Sequence, residues 1–165
     1  MTNEEILVEI AIKTWKSGAS RLSKLLSSLS EEELQREVSP GRNRVYYIVG
    51  HLAAVHDRLF RLLGLGERLH PELDEIFITN PDRTFPDEIS GSDVRAVLEE
   101  INSKLTSAIE ALAPTELLKR HEAVSEEDFA KDPLRNRIAV LEQGTTHAMF
   151  HAGQVSLVTA AQETS

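Results

Sequence analysis

Four long stretches of the sequence repeat apolar residues at spacings of three and four, which places them on one face of an α-helix. This spacing predicts helices over about 3–29, 43–63, 92–112 and 134–162. No stretch shows the strict apolar–polar alternation that is typical of a half-buried strand. The pattern therefore predicts an all-α, up-and-down four-helix bundle or a close variant, formed by residues 1–165 as a single domain.

The apolar stripe of the first predicted helix predicts which face it buries. Its stripe is Leu7, Ala11, Thr14, Gly18, Leu22, Leu25 and Leu29.

Two long connections, 64–91 and 113–135, separate the later helices, and we expect short helical turns near 70–77 and 116–119 within them. Ser30 followed by three glutamates is a capping-box pattern that predicts one more turn.

Composition excludes several functions. The chain has 27 acidic and 18 basic side chains, and its net charge of -9 disfavours binding to nucleic acid or to an anionic membrane surface. It has no cysteine, so a metal site must use His, Asp or Glu. The N-terminal stretch shows neither a signal peptide nor a membrane-spanning run, and we expect a cytoplasmic protein.

Three histidines are the candidate metal ligands. His147 and His151 are four residues apart, so they lie one turn apart and differ by about 40° around a helix. Together with His51 they fall within or at the edge of the predicted inward arcs of two helices. A single histidine on such an arc is usually a hydrogen-bonded core residue. Three of them favour a shared ion, because burying three imidazoles without a partner is costly.

The other histidines are expected to lie outside this site. His56 is about 140° from His51 around the second helix, which predicts a half-buried or surface residue. His70 and His121 fall in the long connections and are expected to be solvated. The alternative is that a loop histidine folds over the mouth of the site.

Two sequence segments resemble the hallmark of a known family. Gly50-His51-Leu52 lies in the second helix, and His147-Ala148-Met149-Phe150-His151-Ala152-Gly153-Gln154 lies in the last. These segments resemble the DinB/YfiT-like superfamily, as does the entry into the second helix at 43–52. The resemblance implies a four-helix bundle, often dimeric, with Zn²⁺, Ni²⁺ or a similar ion on His51, His147 and His151.

The family's activities give the leading functional hypothesis. Its characterised members include thiol-dependent S-transferases and isomerases that use bacillithiol, mycothiol or glutathione, and many members have no known activity. Three neutral imidazoles leave open positions on the ion, which would lower the pKa of a bound thiol or water. We therefore expect a metal-dependent thiol transferase or isomerase. The alternatives are a non-catalytic metal-binding stress-response or interaction protein, a metal-dependent hydrolase, and a metal-free bundle.

The identity of the ion and the supporting residues stay open at this point. Zn²⁺ and Ni²⁺ are the expected ions, and Fe²⁺ also suits three histidines. Gln154 shares a side of the last helix with His151 and either orients a ligand or bonds another helix. Tyr47 either presents its hydroxyl near the site or packs with that group at the surface.

The last helix is apolar on a second side. Phe150 and Leu157 lie opposite its core stripe, which predicts a homodimer formed through this helix. The alternative is that the long connections cover this side. The other expected partners are a low-molecular-weight thiol and an electrophilic small molecule.

Overall fold

The computed structural model describes residues 1–160, in which helices account for all of the regular structure apart from two isolated β-bridges. In chain order the helices are α1 (Asn3–Ser27), α2 (Glu31–Leu34), α3 (Val45–Leu62), a π-helix (Glu75–Thr79), α4 (Gly91–Glu110), α5 (Pro114–Leu117), α6 (Glu126–Lys131) and α7 (Arg137–Ala160). The predicted all-α four-helix bundle is confirmed. Gln162, the predicted end of the last helix, lies outside the described residues.

Side-chain caps fix where several helices begin. Thr2 and Ser30 each accept a hydrogen bond from the backbone of the third residue of the following helix. In both cases that residue is a glutamate, whose carboxylate accepts from the backbone of the cap. The capping box predicted at Ser30 is therefore present and opens α2. Ser125 caps α6, a short helix that the periodicity did not predict.

The two central helices, α3 and α4, run in the same direction. Near their beginnings, the Tyr46 hydroxyl donates to the Ile89 carbonyl at 3.0 Å. Further along both helices, His56 Nδ1 lies 2.6 Å from Asn102 Oδ1. Two parallel neighbouring helices need a long crossover connection, and residues 63–90 form it.

α1 runs antiparallel to this central pair. Its Lys16 pairs with Glu110 at the end of α4, whereas Arg95 near the start of α4 donates to the Leu26 carbonyl near the end of α1. With α7 antiparallel to α3, the chain passes up, down, down and up. The bundle is thus a variant of strict alternation, and the long connection after α3 is the reason.

The predicted buried face of α1 was wrong by one position at three of its residues, and right at the other four, which are Ala11, Gly18, Leu22 and Leu29. Leu7 is 63% exposed, whereas the neighbouring Val8 is 1% exposed, and Thr14 is exposed beside a fully buried Trp15. The observed core face is Val8, Ala11, Trp15, Gly18, Leu22 and Leu26. The rotation buries the indole, the largest apolar group of the chain, and lets Trp15 Nε1 donate to Thr106 Oγ1 at 2.9 Å.

Buried ion pairs hold the long connection against α3. Arg44, at the start of α3, bonds Asp82 and Asp87, and the bonds to both carboxylates raise the pKa of its guanidinium. Near the other end, Asp57 is fully buried and bonds Arg68. Because buried charges are retained where both partners are satisfied, these pairs fix the path of residues 68–87.

The short turns predicted in the connections are also present, in altered form. The turn predicted near 70–77 is the π-helix, one turn further along, and the turn predicted at 116–119 is α5, two residues earlier. Within residues 1–160, every helix is either too short or too polar to cross a membrane.

Candidate metal centre

The bundle brings three histidines together between α3 and α7. Gly144 faces Leu59, and further along the antiparallel pair His147 and His151 face His51. His51 Nε2 lies 3.3 Å from His147 Nε2, and His151 Nε2 lies 3.1 Å from the same atom. The three ring nitrogens all lie within 4.8 Å of one another, and all three side chains are half-buried. We call this group the three-histidine centre.

The spacing of these nitrogens fits a metal ion. A tetrahedral ion with metal–nitrogen bonds of about 2.1 Å places its nitrogen ligands roughly 3.4 Å apart. The two Nε2 separations at His147 are 3.3 and 3.1 Å, which match this value closely. The residues present therefore fit one divalent cation bound through three imidazoles.

His51 is oriented by the backbone of the π-helix. Its Nδ1 donates to the Phe77 carbonyl at 2.9 Å, so its proton sits on Nδ1 and the Nε2 lone pair faces the centre. Phe77 is fully buried against α3, where its ring occupies the space beside Gly50. A Cβ at Gly50 would come within 2.4 Å of that ring. The glycine before His51 is thus needed for the approach of the segment that holds this imidazole.

His151 is oriented in the same way by its own helix. Its Nδ1 lies 2.8 Å from Gln154 Oε1, one turn further along α7, and donates to it. The Nε2 lone pair of His151 is then also free to face the centre. A single proton on His147 Nε2 could bond only one of its two neighbours, whereas a cation accepts all three lone pairs.

Burial favours the neutral form of two of these imidazoles, those of His147 and His151. It lowers the pKa of His147 to about 4, and the nearby His151 and His51 lower it further. Burial likewise lowers the pKa of His151, against the opposing effect of its bond to Gln154. Neutral imidazoles are the form that binds metals, so both side chains are ready to act as ligands near neutral pH.

A cavity of about 490 Å³ opens beside the three-histidine centre. His151 and Gln154 form one wall, and the turn at residues 38–43 before α3 forms the other. Pockets for small ligands usually range from about 300 to 1,000 Å³. Of the three histidines, His151 lines this cavity, so a small molecule in the cavity would meet the centre at that side chain.

The structure corrects the prediction for His56. This residue is 1% exposed, neither half-buried nor at the surface. Its Nδ1 bonds Asn102 Oδ1 at 2.6 Å, and its ring lies 5.1 Å from that of Trp15. The prediction used the angle from His51 alone, but α3 is enclosed on nearly all sides, so a polar residue facing away from His51 still faces protein. His56 is separate from the three-histidine centre.

The histidines of the connections are also separate from that group. His70 is half-buried and more constrained than the predicted solvated residue. Its Nδ1 lies 3.0 Å from Glu72 and its Nε2 lies 3.5 Å from Glu100. His121 is half-buried as well, and its backbone N–H donates to the Arg135 carbonyl. Neither residue joins the three-histidine centre.

Tyr47 contacts the connection between α3 and α4, next to the residue that orients His51. Its hydroxyl donates to the Asn80 carbonyl at 2.6 Å, just beyond the π-helix. Its ring lies 5.8 Å from that of Phe77. Tyr47 therefore packs against the segment that orients His51, and its hydroxyl is used by the backbone of that segment.

The carbonyl of Phe77 is the main feature of the site that the sequence did not reveal. A backbone acceptor has no side-chain signature, and its position depends on the path of a 28-residue connection. The only available signal was Gly50, because a glycine inside a helix indicates close approach by another segment. π-helical turns are also frequent at functional sites, but their position is not readable from apolar spacing.

Comparison with known proteins adds one match. The sequence model of the DinB superfamily matches residues 14–155, which include all three histidines of the centre. No curated protein matches the chain.

Proposed function

Because the chain belongs to the DinB superfamily, we propose that it binds one divalent metal ion through His51, His147 and His151 and activates a small thiol there. The convergence of three Nε2 atoms beside an open cavity carries this proposal. The reaction class is transfer of the thiol sulfur to an electrophilic small molecule, or a thiol-assisted isomerisation. We place the reaction in the cytoplasm, where small thiols are kept reduced.

The donor set explains why a thiol is the favoured substrate. Three neutral imidazoles leave the charge of a divalent ion undiminished, and such an ion lowers the pKa of a thiol that reaches it. Phe77 and Gln154 hold two of the imidazoles in place before the thiol arrives. Thiolate attack would form a carbon–sulfur bond to the electrophile while the bond from that carbon to its leaving group breaks, and the thiol proton and the leaving group would both go to solvent.

The cavity lining favours thiol transfer over hydrolysis. Hydrolysis of a stable bond usually needs a general base beside the activated water. Apart from His151, the described part of the lining holds no carboxylate or imidazole, and its polar side chains include Ser39, Asn43 and Gln154. A thiol needs no such base once its pKa has fallen. Zn²⁺ and Ni²⁺ are the ions that we propose, with Fe²⁺ as the next choice for three histidines.

The same lack of a base supports a second candidate function. A protein that only stores or senses a metal also needs three converging histidines and no catalytic group. We keep a non-catalytic metal-binding protein as the alternative. The two functions differ in one measurable respect, which is turnover of an electrophile by the metal-loaded protein in the presence of a thiol.

The test begins with metal content. Protein purified without a histidine tag should hold about one metal ion per chain, and His147→Ala should lose it. His70→Ala is the matched control, because it removes an imidazole that lies outside the centre. Metal-free wild-type protein after incubation with Zn²⁺ and Ni²⁺, or full metal retention in His147→Ala, would refute the site. Turnover with glutathione or bacillithiol then separates the enzyme from the metal-binding alternative.

We further propose that a second copy of the chain packs against α7. Phe150 and Leu157 are 63% and 62% exposed on this helix, and Leu157 also lies at the rim of the cavity. A partner on this face would cover both side chains and narrow the cavity entrance. Sedimentation of wild-type protein should show a dimer, and a Phe150→Ser, Leu157→Ser double variant should sediment as a monomer.

A further inference from the structure

The turn at the cavity mouth has a closed backbone and carries an exposed arginine, Arg42. Residues 38–43 are closed by three backbone bonds, in which Val38 donates to Asn43, Arg42 donates to Ser39, and Gly41 donates to the Glu37 carboxylate. Gly41 adopts a φ of 75°, which suits a tight turn. The segment is therefore held in one shape, and Arg42 lies at its tip, where it lines the cavity beside His151.

Arg42 differs from its neighbours because its guanidinium is left without a protein partner. Arg44 bonds Asp82 and Asp87, and Arg83 bonds Glu37. Among residues 1–160, no carboxylate lies within 4.0 Å of the Arg42 side chain and no acceptor bonds it. The nearby acidic groups are thus already engaged by other arginines, and Arg42 faces the cavity with its charge uncompensated.

The charge of the cavity contrasts with that of the whole chain. The protein carries a net charge of -9, yet among residues 1–160 the cavity lining contains Arg42 and no acidic side chain. With a metal ion on the three histidines, both charged features of the site would be positive. Such a site attracts an anion and repels a cation.

We propose that Arg42 binds a carboxylate of the thiol substrate, so that the cavity selects low-molecular-weight thiols that carry one. The carboxylate accepts hydrogen bonds from the guanidinium at the outer end of the cavity, while the sulfur reaches the three-histidine centre at the inner end. Ile48 and Leu157 also line the cavity and supply apolar surface for the rest of the thiol. This inference rests on the proposed function and names the substrate class for it.

The experiment compares two thiols that differ in their carboxylates. Reduced glutathione and its diethyl ester have the same thiol and backbone, but esterification removes both negative charges. Binding of each to the zinc-loaded protein is measured by calorimetry for wild type, Arg42→Gln, Arg42→Lys and Arg61→Gln. Arg61 is an exposed arginine at the far end of α3, so its variant removes the same charge away from the cavity.

The expected result is a loss confined to one variant and one thiol. Arg42→Gln should weaken glutathione binding roughly tenfold, the effect of a hydrogen bond to a charged group, and leave the diethyl ester unchanged. Arg42→Lys should restore part of the affinity, because lysine keeps the charge but not the two-pronged geometry. Arg61→Gln should behave as wild type.

Other outcomes overturn the inference. Equal weakening of both thiols would place the effect of Arg42 on the turn or the metal rather than on a carboxylate. Equal affinity of wild type and Arg42→Gln for glutathione, with zinc bound and the ester also binding, would refute the role of Arg42 and leave the proposed function standing. A protein that takes up no zinc would refute the proposed function itself, and this inference with it.

Discussion

The three-histidine centre and His56 have opposite roles in this bundle, although His56 follows His51 by only five residues on α3. The three-histidine centre is half-buried, open to a cavity, and has three ring nitrogens pointing at one another. His56 is almost completely enclosed, and its Nδ1 is bonded to Asn102. The more buried residue is thus the structural one.

The contrast shows that convergence of lone pairs, and not burial, marks a metal ligand. His51 and His151 each give their Nδ1 proton to an oxygen, which turns the Nε2 lone pair toward a shared point. His56 also gives its Nδ1 proton to an oxygen, the amide oxygen of Asn102, and this bond ties α3 to α4. The difference is at Nε2, which in His56 is buried and has no partner among the described residues. One arrangement leaves a place for a cation, and the other fills the core.

The strongest way to break this comparison is to remove one imidazole from each set. His51→Ala should lower the affinity for Zn²⁺ by at least roughly a hundredfold, because it removes a direct ligand, and losing even a supporting residue costs 10- to 100-fold. His56→Leu should leave that affinity within about threefold of wild type. Competition with a chelator of known affinity measures both. A large loss in His56→Leu would mean that the two sets are not independent.

The second difference should appear in stability. His56→Leu should lower the free energy of unfolding by about 2–4 kcal/mol, since it leaves the buried amide of Asn102 unpaired and alters the packing against Trp15. Adding Asn102→Leu should restore part of this loss, because both partners of the bond are then apolar. Urea unfolding of metal-free wild-type protein, His56→Leu, Asn102→Leu and the double variant gives the four free energies of unfolding. A double variant that loses the sum of the two single effects would show that the bond contributes little.

The third difference is in the response to acid. Burial lowers the pKa of His56 to about 4, from its ordinary value of about 6.5. Between these values the unfolded chain binds a proton at this position and the folded chain does not, so stability falls as the pH drops from about 6.5 to about 4. The contribution of His56 to this loss is roughly 3 kcal/mol.

Unfolding at pH 7.5 and at pH 4.5 in the presence of a chelator measures this response. Between pH 7.5 and pH 4.5, the free energy of unfolding of His56→Leu should fall less than that of wild-type protein. The difference corresponds to the uptake of about one proton on unfolding. Burial of His147 acts in the same direction in both proteins, so it cancels in the comparison. Identical pH dependence in the two proteins would mean that His56 takes up its proton equally in the folded and unfolded states.

Much of this architecture was accessible from apolar spacing alone. The four long helices and the capping box at Ser30 follow from local patterns, and these are confirmed. The buried face of α1 was not accessible in the same way, because two leucine-rich faces overlap at Ala11, Gly18 and Leu22. Tertiary packing around Trp15 selects between them. The burial of His56 depends equally on helices distant in sequence.

The centre shows the same division between local and distant information. Spacing of four placed His147 and His151 on one face, and the structure brings His51 within 3.3 Å of His147. The Nδ1 partners of His151 and His51 differ in the same way. Gln154, the partner of His151, is one turn away on the same helix, whereas the Phe77 carbonyl, the partner of His51, belongs to the long connection. Only the first could be proposed from sequence, because its position is fixed by helix geometry.

Gln154 offers the finest test of the centre. Gln154→Leu removes the acceptor that orients His151, and it should weaken Zn²⁺ binding by about tenfold while leaving the helix intact. Gln154→Glu places a carboxylate at the same point, which makes His151 a stronger donor to the metal and should tighten binding several-fold. Glutamate has nearly the same shape as glutamine, so Gln154→Glu keeps the acceptor in place and changes its charge. If both bind Zn²⁺ as wild type does, the bond between Gln154 and His151 stabilises α7 and has no influence on the centre.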